Sequence, residues 1–182
     1  MADYNSSYTG AQIDDGVGRA IVRNFGWQDF QDTATPGTPI PLTAANTWYD
    51  LTNDANGALT STQYKVATHG TIWDSSTNTI DFSTLAIGDT VRFRTDVSFV
   101  TSGANHLVET RFVFGPSFNF SIPFDGIEVK SATTKRRIRY WSFTIKNADT
   151  RDNPGKFQAR SDATGDSVFV GGWQIETQVF VP

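Results

Sequence analysis

Between residues 89 and 114 apolar and polar positions alternate more regularly than anywhere else in the chain. Val91, Phe93, Thr95, Val97 and Phe99 share one parity, and Arg92, Arg94, Asp96 and Ser98 share the other. Successive side chains of a strand point to opposite faces, so this period of two predicts a half-buried strand with the odd residues in the core. Val108, Thr110, Phe112 and Phe114 repeat the pattern against Glu109 and Arg111. The five residues between, 101–105, include Gly103 and suit a β-hairpin connection. The expectation is therefore two paired strands at the centre of an all-β sandwich.

Strand patterns also fill the rest of the chain from residue 25 onward. Extended segments are expected at 27–33, 40–51, 64–74 (broken near Gly70), 79–82, 118–122, 127–129, 137–146, 156–160, 168–170 and 173–181, with Gly, Pro, Asn and Asp turns between them. Pro39 and Pro41 confine their segment to a sheet edge, since proline cannot donate to a ladder. Residues 1–8 carry no periodicity. After them comes the one convincing helix signal: Thr9 and Gln12 at capping-box spacing, then Ile13, Val17, Ala20 and Ile21 along one face. Asp14 and Asp15 fall in its first turn and Arg19 and Arg23 near its end, as the helix dipole favours. Gly16 and Gly18 weaken it, so it should form only against a surface, either its own domain or a partner. The expected organisation is a short arm and helix over 1–24 and a β-sandwich over 25–182, with strand number and spacing that fit a jelly roll.

Composition narrows the field. Asp and Glu total 19, yet Glu occurs only at 109, 128 and 176, which favours turns over helices. The formal net charge of −4 argues against a general nucleic-acid binder. There is no cysteine, hence no disulfide, thiol nucleophile or thiolate metal site. No cationic, apolar leader opens the chain, and no stretch approaches the roughly 20 apolar residues that span a bilayer. Synthesis and folding in the cytosol and no membrane partner are expected.

Candidate chemistry is sparse. His69 and His106 are the two histidines, and neither HExxH nor a GxSxG elbow is present; Ser167 in GDSVFVG does not match. Both histidines are expected to be solvated or hydrogen-bonded strand residues. The loop TNDANG places Thr52, Asp54 and Asn56 at calcium-loop spacing, but Gln63 stands where a bidentate Glu is required, so a turn is the reading. No metal, no cofactor and no enzymatic activity are expected. The sharpest charge feature is cationic: Lys130, Lys135, Arg136, Arg137 and Arg139. It reads either as a solvated tip or, at Lys135, Arg136, Arg137 and Arg139, as a contact with an acidic partner or a neighbouring subunit. Aromatic residues on both parities, such as Tyr140 opposite Trp141 and Phe143, point to an outer face covered by another copy.

Two stretches carry a family resemblance. Residues 7–20, SYTGAQIDDGVGRA, resemble the Y-T-G-x-x-I-D-x-x-V start of many head-decoration, head-fibre and tail-fibre proteins of tailed bacteriophages. Residues 47–99, from TWYDLTNDANG to TDVSF, are similar to the jelly-roll modules of such proteins, which share a tumour-necrosis-factor-like trimeric fold. The resemblance implies a homotrimer on a virion, attached to the major capsid protein through Tyr8, Thr9, Gly10, Ile13, Asp14 and Val17. With no shaft between attachment and sandwich, a compact decoration (cement) protein on the outer capsid surface is favoured over a fibre. The alternative is a receptor- or glycan-binding module of a head or tail fibre, with Trp48, Tyr49 and Trp73 stacking on sugar.

Overall fold

The computed structural model describes residues 24–180. The expected arm and helix therefore lie outside the described residues, as do the last two positions. Eleven strands are described: β1 (Phe25–Gln31), β2 (Ile40–Leu42), β3 (Tyr49–Asp50), β4 (Trp73–Asp74), β5 (Thr79–Ile80), β6 (Thr90–Val100), β7 (His106–Phe114), β8 (Phe120–Val129), β9 (Thr134–Thr144), β10 (Lys156–Ser161) and β11 (Asp166–Gln178). A one-turn helix, α1 (Ala148–Arg151), is capped by the Asn147 side chain, which accepts from the Thr150 amide.

The strands form two antiparallel sheets and a small β4–β5 ribbon. One sheet has the order β1-β11-β6-β9, with β2 continuing the β1 side of β11; the other has the order β3-β10-β7-β8. The fold is an all-β sandwich, as the alternation predicted. Pro41 lies at the edge position expected of it, opposite Ser167.

The central expectation needs correcting. β6 and β7 do not pair: β6 lies between β11 and β9, whereas β7 lies between β10 and β8. Residues 101–105 are not a hairpin turn but a corner where the chain leaves one sheet for the other. Alternation specifies which face a side chain takes; it says nothing about which strand will be its neighbour. The face assignment itself holds, because Val91, Phe93, Thr95, Val97 and Phe99 are all buried. Two residues of the opposite parity, Asp96 and Ser98, are buried as well, against expectation. Asp96 lies against Gly171 and is covered by Arg136.

Two pairs of expected short strands prove to be single long ones interrupted by bulges. In β11 the register against β6 shifts between Val170 and Gly172. Before the shift Val168 and Val170 point inward; after it Trp173, Ile175 and Thr177 do. The extra residue flips parity, so one strand reads as two. Gly172 has φ +152°, and a Cβ there would stand 2.7 Å from the Phe30 carbonyl oxygen. In β8 the shift falls after Pro123, again changing the inward parity from Ile122 to Asp125 and Ile127. Proline suits that site because β8 is an edge strand.

Most of 64–74, expected as a strand, is a run of turns. Its backbone is held instead by Gln28, whose buried side chain donates to the Gly70 carbonyl (2.9 Å) and accepts from the Ile72 amide (3.1 Å). The preceding segment runs along the free edge of β1: Trp27 donates to Tyr64 O, and Asp29 and Ser61 exchange two backbone hydrogen bonds of 2.9 Å. A long unpaired edge invites aggregation, and here the chain's own loop covers it.

Between the sheets lies an aromatic core. Phe93 stacks on Trp141 at 4.4 Å between centroids and meets Phe112 and Phe157 at 5.6 and 5.4 Å. Such pairs contribute about 0.5–1.5 kcal/mol each beyond area burial, which in a cysteine-free chain makes ring packing the main fastening.

Candidate functional site

The first and last described residues meet at one end of the sandwich. Phe25 pairs with Gln178, and the Val179 amide donates to the Asn24 carbonyl at 2.8 Å. Around this joint apolar side chains stand in solvent: Phe180 is 58% exposed, Ile87 51%, Phe25 42% and Tyr64 40%. Tyr64 stacks on Trp27 at 4.9 Å, and Trp27 tilts against Phe25 at 6.3 Å. Phe180 lies over Gly88, whose φ of +105° and missing Cβ allow the close approach. A groove of about 340 Å³ runs between Asn24, Gly88, Thr90, Gln178 and Phe180.

A buried polar network sets this end. The Asp89 carboxylate accepts from the Ala86 and Phe180 amides, both at 2.8 Å, and stands 3.3 Å from His69 Nε2. His69 Nδ1 meets Thr177 Oγ1 at 2.8 Å, and Lys65 Nζ donates to the His69 carbonyl. Burial depresses the His69 pKa; the Asp89 carboxylate pulls the other way without overcoming it, and Lys65 adds to the depression. His69 is thus hydrogen-bonded as expected, but in a loop rather than a strand.

His106 belongs to a second network at the β6–β7 corner. Asp166, almost fully buried, accepts from the Ser102 amide (2.8 Å), Ser102 Oγ (3.0 Å), Ser161 Oγ (2.6 Å) and His106 Nδ1 (2.9 Å). A histidine, an aspartate and two serines are together here, but both hydroxyls are spent on the carboxylate. The site joins the corner after β6 to the turn before β11. Burial raises the Asp166 pKa, yet the bonds from Ser161, Ser102 and His106 together hold it below the ordinary carboxylate range.

The attachment residues expected from sequence, Tyr8, Thr9, Gly10, Ile13, Asp14 and Val17, lie outside the described residues. The cationic cluster lies on β9 and its lead-in, where alternation splits it. Lys135, Arg137 and Arg139 share the parity of Trp141, toward the opposite sheet, and Arg136 takes the outer face. Arg137 Nε and Arg139 Nη2 both reach Asp125 Oδ2 at 2.8 Å across the mouth of the sandwich. Burial raises the Asp125 pKa, but these two guanidinium groups outweigh it and keep the carboxyl low. Arg136 is paired with Asp96, and Lys130 with Glu128. Lys135 has no ion pair among the described residues.

Of the three aromatics considered for sugar stacking, Trp73 is buried and donates its indole N–H to the Asn53 carbonyl. The Tyr49 hydroxyl meets Thr43 Oγ1 and accepts from the Ala44 amide. Trp48 lies under the guanidinium groups of Arg111 and Arg160, at 4.1 and 4.7 Å. In the TNDANG loop, Asn53 and Asp54 accept from the amides of Ala55 and Asn56, as in a turn.

No family model and no curated protein matches the chain. Among solved structures, it is similar to the PRD1 vertex protein P5 at 16% identity and a TM-score of 0.47, over 86% of this chain and 73% of that one. It also resembles dimeric latent PorU from Porphyromonas gingivalis, at 14% identity and a TM-score of 0.38, over 85% of this chain and 12% of that one. Both TM-scores are under 0.5, too low to bear on family or function.

Proposed function

We propose that this protein is a non-enzymatic structural component of a bacteriophage virion. In this reading it is a homotrimeric decoration protein whose jelly-roll sandwich sits on the outer surface of the head and reinforces it. The N-terminal segment attaches the protein to the major capsid protein, and that attachment depends on Tyr8, Thr9, Gly10, Ile13, Asp14 and Val17. The observation that carries the reading is the joint at Asn24. The segment with the decoration-like motif enters the sandwich at an end bearing exposed Phe25, Ile87 and Phe180, so motif and apolar surface stand together. Lys135 on β9 is the cation best placed for a neighbouring subunit, since Arg136, Arg137 and Arg139 are engaged within their own chain.

The test is a chain lacking residues 1–23, mixed with capsids that lack the protein. The truncated form should remain trimeric by light scattering and fail to co-sediment with capsids. Decoration by the truncated protein would overturn the attachment role.

A further inference from the structure

We infer that the groove where the termini meet is occupied by the chain's own N-terminal segment, through Ile13, Val17, Ala20 and Ile21. This goes beyond attachment to a capsid: it gives the arm a place on its own domain. Three observations converge on that occupant. The groove is bordered by the exposed rings of Phe25 and Phe180, and it continues past Thr90 and Gln178 toward Arg92 and Glu176. It crosses β1, β11 and β6, about 10 Å of sheet. The stripe from Ile13 to Ile21, if helical, is about 12 Å long.

Chain continuity decides between occupants. Ile21 is three residues from Asn24, which lines the groove itself, so the stripe reaches it within about 10 Å of extended chain. A tether that short gives an effective concentration on the order of millimolar or higher, well above that of a free second copy. The helix signal is also interrupted by Gly16 and Gly18 and needs a surface to form on; a groove flanked by Phe25 and Phe180 and beginning beside Asn24 supplies one. Ile13 and Val17 then serve attachment by fixing the arm on the domain, leaving Tyr8, Thr9, Gly10 and Asp14 to meet the capsid.

Hydrogen exchange on the full chain tests this, comparing the native sequence with the I13D/V17D double variant and with F180D on the groove side. The amides to follow are Gly88, Val179 and Phe180, which are bonded to Ile145 O, Asn24 O and Asp89 Oδ1 around the groove. Both variants should exchange there about tenfold faster or more, independent of protein concentration, while core amides such as Phe93 and Ile175 keep native rates. Unchanged exchange in I13D/V17D would overturn the inference. So would protection that rises with protein concentration, which assigns the groove to a second copy, or protection seen only with added capsids. Capsid co-sedimentation of the same variants separates this result from the attachment reading: the groove can be filled by the arm whether or not the arm binds capsids.

Discussion

Removing the Asp166 carboxylate should be the most informative single perturbation of the sandwich. It receives four hydrogen bonds from three separate segments, and its side chain is fully buried. Bonds to a charged acceptor contribute about 1.5–3 kcal/mol singly, but these share one carboxylate and cannot be summed. Breaking a buried charged pair by deleting one partner, which costs about 3–5 kcal/mol, is the better guide for D166A. D166N keeps one acceptor oxygen and should lose about 1–3 kcal/mol. In a domain of this size each kcal/mol moves Tm by about 2–4 °C, so D166A should melt roughly 6–20 °C below the native protein. D162A is the control: Asp162 is exposed in the same turn and accepts one backbone N–H, from Leu107. It should fall within about 1 kcal/mol. The assay is urea unfolding followed by tryptophan fluorescence, with m-values compared. The Asp166 pKa is lowered on folding, so its stabilisation is present above the unfolded carboxylate value and lost as pH falls through the folded one. The native and D166N curves should therefore converge in acid. Equal stabilities for D166A and D162A would refute the idea that this carboxylate fastens the corner.

Three further outcomes follow from the same geometry. The depressed His69 pKa means the unfolded state binds a proton before the folded one does; stability should be full above about pH 6.5 and decline as pH falls below it, and H69Q should flatten that slope in a pH series of Tm. G172A places a methyl 2.7 Å from a carbonyl oxygen at φ +152°, so chemical denaturation should show a loss of about 1–3 kcal/mol. D125N leaves Arg137 and Arg139 facing each other without their shared carboxylate; it should destabilise by about 1–3 kcal/mol, most at low salt, as read by unfolding at two ionic strengths.

The strands of this protein are legible in its sequence, and their neighbours are not. Phe93 and Phe112 announce their burial by alternation, because burial of a face is local to one strand. That they belong to opposite sheets depends on β9, β10 and β11, which come later in the chain and leave no trace in the 89–114 pattern. Bulges hide similarly. The Gly171–Gly172 pair is visible as a break, but a break in parity reads equally as a turn between strands. Polar networks were the least legible: His69 meets Thr177 across 108 positions and His106 meets Asp166 across 60, and no spacing rule links residues so far apart. Gln28, standing in for a missing strand, carried no signal beyond an unexpectedly polar inward position. The cationic run is contiguous in sequence but is divided between two faces, since neighbours in a strand face opposite ways.

The placement of β11 has a consequence for how the molecule is made. Among the described residues β11 lies between β1 and β6 and also pairs β2, so β1 has no partner strand in its sheet until β11 emerges. From Phe25 to Gln178 is roughly 150 residues, on the order of 8–30 s of translation at about 5–20 residues per second. Through much of that interval β1, rich in aromatic residues, has only the chain's own 61–64 segment along its edge, while β6 can pair β9 once residue 144 is made. A ribosome stalled short of residue 166 therefore holds the β3-β10-β7-β8 sheet and the β6–β9 pair, with β1 still waiting for β11 to join it to them.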